Sequence, residues 1–135
     1  MIAVDTSVLI DVLTGDPEHG DASSQALAKA LSEGEVVISE AVVAEVQALL
    51  DTRETLMDAL NEFGIRFDPI QEAAAVRAGH MQRRFRDRGG QRGRVVADFL
   101  IGAHALLQCK ALITRDEAFF RDYYKGLKLI VPQPL

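Results

Sequence analysis

Tryptophan is absent from this chain of 135 residues, and cysteine occurs only once. The single Cys109 has no partner for an internal disulfide bond, which excludes a disulfide framework and leads us to expect a reducing cytoplasm. The three histidines, His19, His80 and His104, are scattered along the sequence. A typical zinc site needs several Cys or His ligands, so zinc is not indicated. The aromatic content of only 6% argues against a surface that stacks many nucleic-acid bases.

A long apolar run near the start and an early basic residue are also missing. The chain begins MIAVDTSVLIDVL, with an acid at position 5, and its first basic residue is Lys29. A secretory signal needs a basic start and an uninterrupted apolar run, so we expect neither export nor membrane association. The hydrophobic content of 48% and charged content of 26% are typical of a folded globular protein, and the length fits one domain, residues 1–135.

Short apolar runs alternate with segments that carry apolar residues at helical spacing. The predicted strands are Ile2–Val4, Val36–Ile38, Ile65–Phe67, Ala111–Ile113 and Leu129–Val131. The predicted helices are Ser7–Leu13, Ala22–Ser32, Glu40–Leu50, Glu54–Phe63, Gln71–Arg86, Val95–Gln108 and Glu117–Tyr123. This alternation, with strands apolar on both faces, predicts an α/β fold in which helices cover both sides of a five-stranded, mostly parallel sheet.

Two acids follow predicted strands. Asp5 ends the first strand, and Asp116 follows the fourth strand with Thr114 just before it. In an open parallel sheet, ligands bind beyond the carboxyl ends of the strands, so both carboxylates are expected at one rim. Each acid taken alone also fits a helix N-cap, because Asp accepts hydrogen bonds from the free amides of a first helical turn.

Two further acids stand where no cap is needed. Glu45 lies in SEAVVAEVQALL beside an apolar stripe, and Asp98 lies in a helix that only His104 and Gln108 otherwise interrupt. A carboxylate near a core is costly unless it is paired or bound to a metal. No Lys or Arg lies three or four residues from Glu45, whereas Arg94 precedes Asp98 by four residues, so an ordinary ion pair remains open for Asp98. His104 is six residues from Asp98 and does not share its helix face, so we interpret it as structural.

If the four acids converge, their mutual repulsion raises their pKa values unless a cation lies among them. Ligands that are all oxygen suit a hard ion such as Mg²⁺ or Mn²⁺. The sequence therefore predicts a metal site built from Asp5, Glu45, Asp98 and Asp116.

Basic residues are concentrated in one segment. Residues 83–94, RRFRDRGGQRGR, hold six arginines against the single acid Asp87, so the segment carries +5 while the net charge of the chain is −5. Such a strip in an acidic protein predicts a local site for a polyanion. The alternative is a solvated helix end that complements the helix dipole.

The order of these motifs resembles a known family, the VapC-like toxins of bacterial and archaeal toxin–antitoxin pairs, which are small PIN-domain ribonucleases. The resemblance spans essentially the whole chain and rests on four segments: VDTSVLID, ISEAVVAEV, ADFLIGAHAL and LITRDEAFF.

The resemblance implies a fold, a site and a mechanism. It implies a five-stranded parallel sheet between helices and places the four acidic positions of the family on Asp5, Glu45, Asp98 and Asp116. Ser7 and Thr114 match its small hydroxyl residues, which would orient the carboxylates or serve only as helix-start and turn hydroxyls. The implied activity is hydrolysis of RNA phosphodiester bonds with Mg²⁺ or Mn²⁺, by one ion or two.

The resemblance also implies partners: a VapB-like antitoxin and a second copy of the chain in a homodimer. We expect RNA to be the substrate. The candidate RNA-binding residues are Arg84, Arg88, Arg92, Arg94 and Arg115. The alternative function is a catalytically silent PIN-like module that only binds RNA or a protein partner.

Overall fold

The computed structural model describes residues 1–50, 56–90 and 94–134, and within them the chain forms five strands and seven helices. The strands are β1 Ile2–Val4, β2 Val36–Ile38, β3 Ile65–Phe67, β4 Ala111–Ile113 and β5 Lys128–Ile130. The helices are α1 Thr6–Thr14, α2 Gly20–Glu33, α3 Glu40–Leu49, α4 Leu56–Phe63, α5 Glu72–Asp87, α6 Val96–Gln108 and α7 Glu117–Tyr123.

The five strands form one parallel sheet in the order β3-β2-β1-β4-β5, which confirms the predicted fold class. The inner strands β1, β2 and β4 are buried at every residue. The edge strands are less buried than the inner ones. In β3 only Ile65 is buried, and in β5 Lys128 is exposed. An edge strand has a neighbour on one side only, so its side chains receive less cover.

The predicted element boundaries agree with the structure to within two residues. The largest shift is at the start of α2, which begins at Gly20, and β5 begins one residue earlier than predicted. The predicted start of the fourth helix at Glu54 lies outside the described residues. Helix α1 is followed by Gly15 in the left-handed conformation (φ 63°), where glycine avoids the steric cost that a Cβ would impose.

No helix among the described residues combines the length and apolar character that a membrane crossing requires.

Aromatic rings join the end of α5 to α6 and α7. Phe99 of α6 is fully buried and lies edge-to-face against Phe85 at 5.7 Å and against Phe119 at 5.3 Å between ring centroids. Gly102 allows Tyr124 to approach α6 closely, because a Cβ at that position would lie 2.3 Å from a ring carbon of Tyr124. These contacts hold α6 and α7 in place. Helix α6 contains Asp98, and helix α7 begins directly after Asp116.

The order of the sheet reverses beside β1. Strands β2 and β3 lie on one side of β1, and β4 and β5 lie on the other. The carboxyl ends of β1 and β4 are therefore adjacent, and the backbone amide of Asp5 donates a 2.9 Å hydrogen bond to the carbonyl oxygen of Ile113. A crevice at such a reversal is the usual place for a ligand in an open parallel sheet.

Candidate active site

A cavity of about 540 Å³ opens at this reversal, and all four predicted acids line it. The carboxylates come from four places in the fold: the end of β1, the middle of α3, the first turn of α6 and the start of α7. The acids are Asp5, Glu45, Asp98 and Asp116.

Asp5 is both a helix cap and a wall of this cavity. Its Oδ1 accepts a 2.8 Å hydrogen bond from the backbone amide of Thr6, and its Oδ2 accepts a 2.7 Å hydrogen bond from the hydroxyl of Thr114. The residue is only 8% exposed. Burial raises the pKa of Asp5 to about 6, against the lowering effect of these two hydrogen bonds, and the charges of Asp98 and Asp116 raise it further.

Thr6 connects Asp5 with Glu45. Its hydroxyl donates a 2.6 Å hydrogen bond to Oε1 of Glu45 on α3, while its backbone amide binds Asp5. Ser7, the hydroxyl predicted for this role, lines the cavity, but no hydrogen bond joins it to a carboxylate among the described residues. Among the described residues, the hydroxyl near Asp5 in the chain that binds a carboxylate is that of Thr6, one position before Ser7. The adjacent hydroxyls of the segment VDTS were the available sequence signal.

Thr114 occupies the position that the resemblance implied for the second hydroxyl. It is fully buried, donates to Asp5 and accepts a 3.0 Å hydrogen bond from the backbone amide of Asp116. One side chain thus fixes both the carboxylate after β1 and the backbone at the carboxylate after β4.

Asp98 and Asp116 are the other two predicted acids that line the cavity. Asp98 lies in the first turn of α6, and its Oδ2 accepts a 3.2 Å hydrogen bond from the amide of Val95. Burial raises the pKa of Asp98, and the charges of Glu45 and Asp116 add to this rise. Asp116 stands at the N-cap position of α7, but its side chain makes no capping hydrogen bond. The capping interpretation therefore applies to Asp5 and not to Asp116.

Two arginines predicted to bind RNA lie on carboxylates at this site. Nη1 of Arg94 is 2.5 Å from Oδ2 of Asp116 and 3.9 Å from Oδ2 of Asp98. Arg115 binds both carboxylate oxygens of the buried Asp11, through Nε at 2.8 Å and Nη2 at 3.1 Å. The ion pair between Arg94 and Asp98, left open by their spacing, is thus a long contact, and the closest partner of Arg94 is Asp116.

Asp11 lines the cavity without being part of the predicted acidic set. It is 3% exposed, and its Oδ2 also accepts a 2.7 Å hydrogen bond from the buried hydroxyl of Ser23. With Arg115 on both oxygens, its charge is compensated within the protein. This pair ties the loop that carries Asp116 to α1, and it leaves the other acids as the candidate ligands.

The residues present fit a hard divalent cation. The donors are carboxylate oxygens, which Mg²⁺ and Mn²⁺ prefer. Among the described residues, Asp5 and Glu45 have no Lys, Arg or His within ion-pair distance, although both line the cavity. Carboxylates that are close together and partly buried without a cation raise each other's pKa, and a bound cation reverses this effect.

A second group of metal-ligating side chains lies elsewhere, formed by Asp68, His104 and Cys109, with one ligand atom of each within 4.8 Å of the others. Hydrogen bonds already engage two of these groups: Nε2 of the buried His104 is 2.8 Å from Oδ2 of Asp68, which also accepts from Gln108 at 3.1 Å. Burial raises the pKa of the Cys109 thiol to about 11, so it is protonated at neutral pH. These contacts agree with the structural role expected for His104.

The basic strip continues into a groove of about 250 Å³, which is lined by residues of α5, α6 and α7 and of the turn after α7. Arg84 and Arg88 line it, together with the acid Asp122 and with two cations that were not among the predicted RNA-binding residues, Arg77 and Lys125. The guanidinium of Arg88 lies 5.9 Å from the ring centroid of Tyr123. The signal for Arg77 was available, since positions 77, 84 and 88 follow one helical stripe. Arg92, also predicted to bind RNA, lies outside the described residues.

Comparisons with known proteins give the same fold. The family model described as the PIN domain matches residues 2–126. No curated protein sequence matches the chain. A chain in the crystal structure of VapBC2 from Rickettsia felis, bound to a DNA fragment from their promoter, is 21% identical with a TM-score of 0.74, and the match covers 98% of this chain and 100% of that chain.

Two further solved structures have similar values. A chain of VapBC-1 from nontypeable Haemophilus influenzae is 20% identical with a TM-score of 0.69, covering 97% of this chain and 98% of that chain. VapC20 from Mycobacterium tuberculosis, described as a Sarcin-Ricin loop cleaving toxin, is 17% identical with a TM-score of 0.65, covering 95% and 99%. At these identities the structures show a shared fold.

Proposed function

The chain belongs to the PIN domain family, and from this premise we propose that it is a metal-dependent endoribonuclease and the toxin of a toxin–antitoxin pair. The observation that carries the proposal is the convergence of Asp5, Glu45, Asp98 and Asp116 on one cavity at the sheet reversal. The description of VapC20 as a Sarcin-Ricin loop cleaving toxin supports our proposal of RNA as the substrate class.

Mg²⁺ or Mn²⁺ would be held in the cavity by carboxylates of this acidic set. When bound, such an ion lowers the pKa of a water molecule, polarises a phosphoryl oxygen and stabilises the leaving oxygen. The side chains supply the geometry: Thr114 and the Thr6 amide fix both oxygens of Asp5, and the Thr6 hydroxyl fixes one oxygen of Glu45. Because the pKa of Asp5 is about 6, this carboxylate is mostly ionised at neutral pH even before a cation binds.

The groove lined by Arg84 and Arg88 is proposed to bind the RNA backbone. An acidic cavity repels phosphates, so the affinity for RNA must come from cations outside the metal site. Helix α7 connects the two places, because Phe119 contacts Arg94 at the cavity, and Tyr123 one turn later contacts Arg88 at the groove.

This role of the groove is testable with single cation deletions. Arg84→Ala and Arg88→Ala are each expected to raise KM for RNA several-fold with little change in kcat, and to lower the slope of log K against log salt by about 1. Lys29→Ala on α2 removes the same charge elsewhere and is expected to change neither quantity. Equal effects of all three variants would contradict a specific RNA path.

Partners and assembly follow from the same proposal. We propose an antitoxin of the VapB type as protein partner, supported by the VapBC complexes among the structural neighbours. We also propose a homodimer and a cytoplasmic location. Light scattering of the purified protein measures its oligomeric state, and a monomer at all concentrations would contradict the homodimer. A short neighbouring reading frame whose product co-purifies with this chain would support the antitoxin.

The deciding experiment is incubation of the purified, partner-free protein with structured RNAs, with Mg²⁺ or Mn²⁺ and with EDTA. Asp5→Asn and Asp98→Asn serve as site variants, and Asp21→Asn, an exposed acid in the first turn of α2, serves as control. We expect cleavage by the wild type and the control with metal only. Cleavage that persists in EDTA or in both site variants would refute the metal nuclease. RNA binding without cleavage by the wild type would favour the silent PIN-like module.

A further inference from the structure

Among the described residues, Arg94 is the cation within ion-pair distance of Asp98 and Asp116. Its guanidinium makes a 2.5 Å ion pair with Asp116 and approaches Asp98 to 3.9 Å. One face of the guanidinium also lies over the ring of Phe119, with Cζ 4.1 Å from the ring centroid. The side chain is 30% exposed, so this contact set is partly shielded from solvent. A planar guanidinium that stacks on a ring and binds a carboxylate is held in one orientation.

The four acids are therefore not equivalent. Oδ2 of Asp116 is occupied by Arg94, and the hydrogen bond is charge-assisted. Asp5 and Glu45 accept hydrogen bonds only from uncharged groups among the described residues, and the contact of Asp98 with Arg94 is too long for a hydrogen bond. Among the described residues, no cation within hydrogen-bond distance compensates the negative charges of Asp5, Glu45 and Asp98.

We propose that Arg94 takes the place of a second metal ion in this site. The inference rests on the proposed function and specifies it: a single divalent ion binds at Asp5, Glu45 and Asp98, while Arg94 holds Asp116 and keeps its remaining N–H donors for a phosphate oxygen of the RNA. A second ion at Asp116 must first displace the guanidinium from its carboxylate and its ring. Losing one charge-assisted hydrogen bond and one cation–π contact weakens that second site by roughly tenfold or more.

The test is the number of Mn²⁺ ions bound per chain, measured by isothermal titration calorimetry and by electron paramagnetic resonance of free Mn²⁺ without RNA. We expect one ion in the wild type and two in Arg94→Gln, because removal of the guanidinium frees Asp116. Arg94→Lys keeps the charge and is expected to bind one ion. Arg83→Gln, at an exposed arginine that pairs with Asp87 on α5, is the matched control and is also expected to bind one ion.

The acids provide an independent check with the arginine intact. Asp116→Asn is expected to leave one ion bound with its affinity changed by less than about threefold, whereas Asp98→Asn is expected to lower the affinity at least tenfold. In the double variant Arg94→Gln/Asp116→Asn, the second ion is expected to be lost again. Circular dichroism and thermal melting confirm that each variant is folded before titration.

The outcomes separate this inference from the proposed function. Two ions of similar affinity in the wild type, or an unchanged single ion in a folded Arg94→Gln, would overturn the role of Arg94 and leave the nuclease standing. If Arg94→Gln does not fold, loss of the single ion in Asp116→Asn is the overturning result. No Mn²⁺ binding by the wild type or any variant would overturn the metal site itself.

Discussion

Replacing Asp5 by Asn is expected to make the metal-free protein more stable at neutral pH, although the change removes a side chain that the proposed activity requires. Asp5 is 8% exposed and has no cationic partner within ion-pair distance among the described residues. Asparagine keeps an oxygen that accepts from the Thr6 amide and carries no charge. The substitution thus removes the cost of an ionised group in a buried position while it keeps the helix cap.

The magnitude follows from the pKa of Asp5. Burial raises it from 3.8 to about 6, so between these values the folded protein binds more protons than the unfolded chain. Stability therefore falls as pH rises through this window, and above about pH 6 the full cost applies. A pKa difference of about two corresponds to roughly 3 kcal/mol. In Asp5→Asn the side-chain oxygen serves the Thr6 amide, so the NH₂ group faces the Thr114 hydroxyl, which loses its acceptor. This loss costs about 1–2 kcal/mol at any pH and leaves an expected gain of ~1–2 kcal/mol above about pH 6.

Urea unfolding between pH 4 and pH 8, with EDTA present, measures this gain. Asp5→Asn is expected to be about 1 kcal/mol less stable than the wild type near pH 4, where the wild-type carboxyl is protonated in the folded protein, and ~1–2 kcal/mol more stable above about pH 6. Asp16→Asn is the control, because backbone hydrogen bonds lower the pKa of Asp16 and its removal brings no gain. A variant that is less stable than the wild type at pH 7.5, or a difference independent of pH, would refute the reasoning.

Further predictions concern the side chains that support the acids and the chemistry. Thr6→Val removes the 2.6 Å hydrogen bond to Glu45 and is expected to weaken Mn²⁺ binding about tenfold, whereas Thr6→Ser keeps it; equal titrations would contradict this. Arg115→Ala leaves Asp11 buried without its cation and is expected to cost ~2–4 kcal/mol by urea unfolding, which a loss below 0.5 kcal/mol would contradict. RNA with a 2′-O-methyl group at the cleaved position is expected to remain a substrate, since water is the proposed nucleophile; full resistance would contradict it.

Local patterns were sufficient to predict most of the fold. All three inner strands are apolar at every position, and several of the helices end near glycines. The type and order of the secondary-structure elements could therefore be predicted without tertiary information. The acids of the cavity could also be predicted from local sequence patterns. Asp98 interrupts a helix whose residues from Phe99 to Ala105 are nearly all buried, and such an interruption requires an explanation in the site rather than in the helix.

The side-chain contacts around the acids could not be predicted from local sequence patterns. Arg115 binds Asp11 across 104 positions of sequence, and Arg94 binds Asp116 across 22, so both pairs depend on how α1, α6 and α7 pack. The spacing of four residues pointed to Asp98 as the partner of Arg94, but the guanidinium lies over the ring of Phe119 and is closest to Asp116. Likewise, the packing of α3 against α1 decides that Thr6 contacts Glu45, while Ser7 does not.

The most direct test of the metal site is a crystal structure of the partner-free protein with Mn²⁺, with the ion located by its anomalous scattering. The account predicts one strong peak in the cavity, about 2 Å from carboxylate oxygens of Asp5 and Asp98, with Arg94 still on Asp116. Absence of a peak in this cavity at saturating Mn²⁺, or a peak only at Asp68, His104 and Cys109, would contradict it.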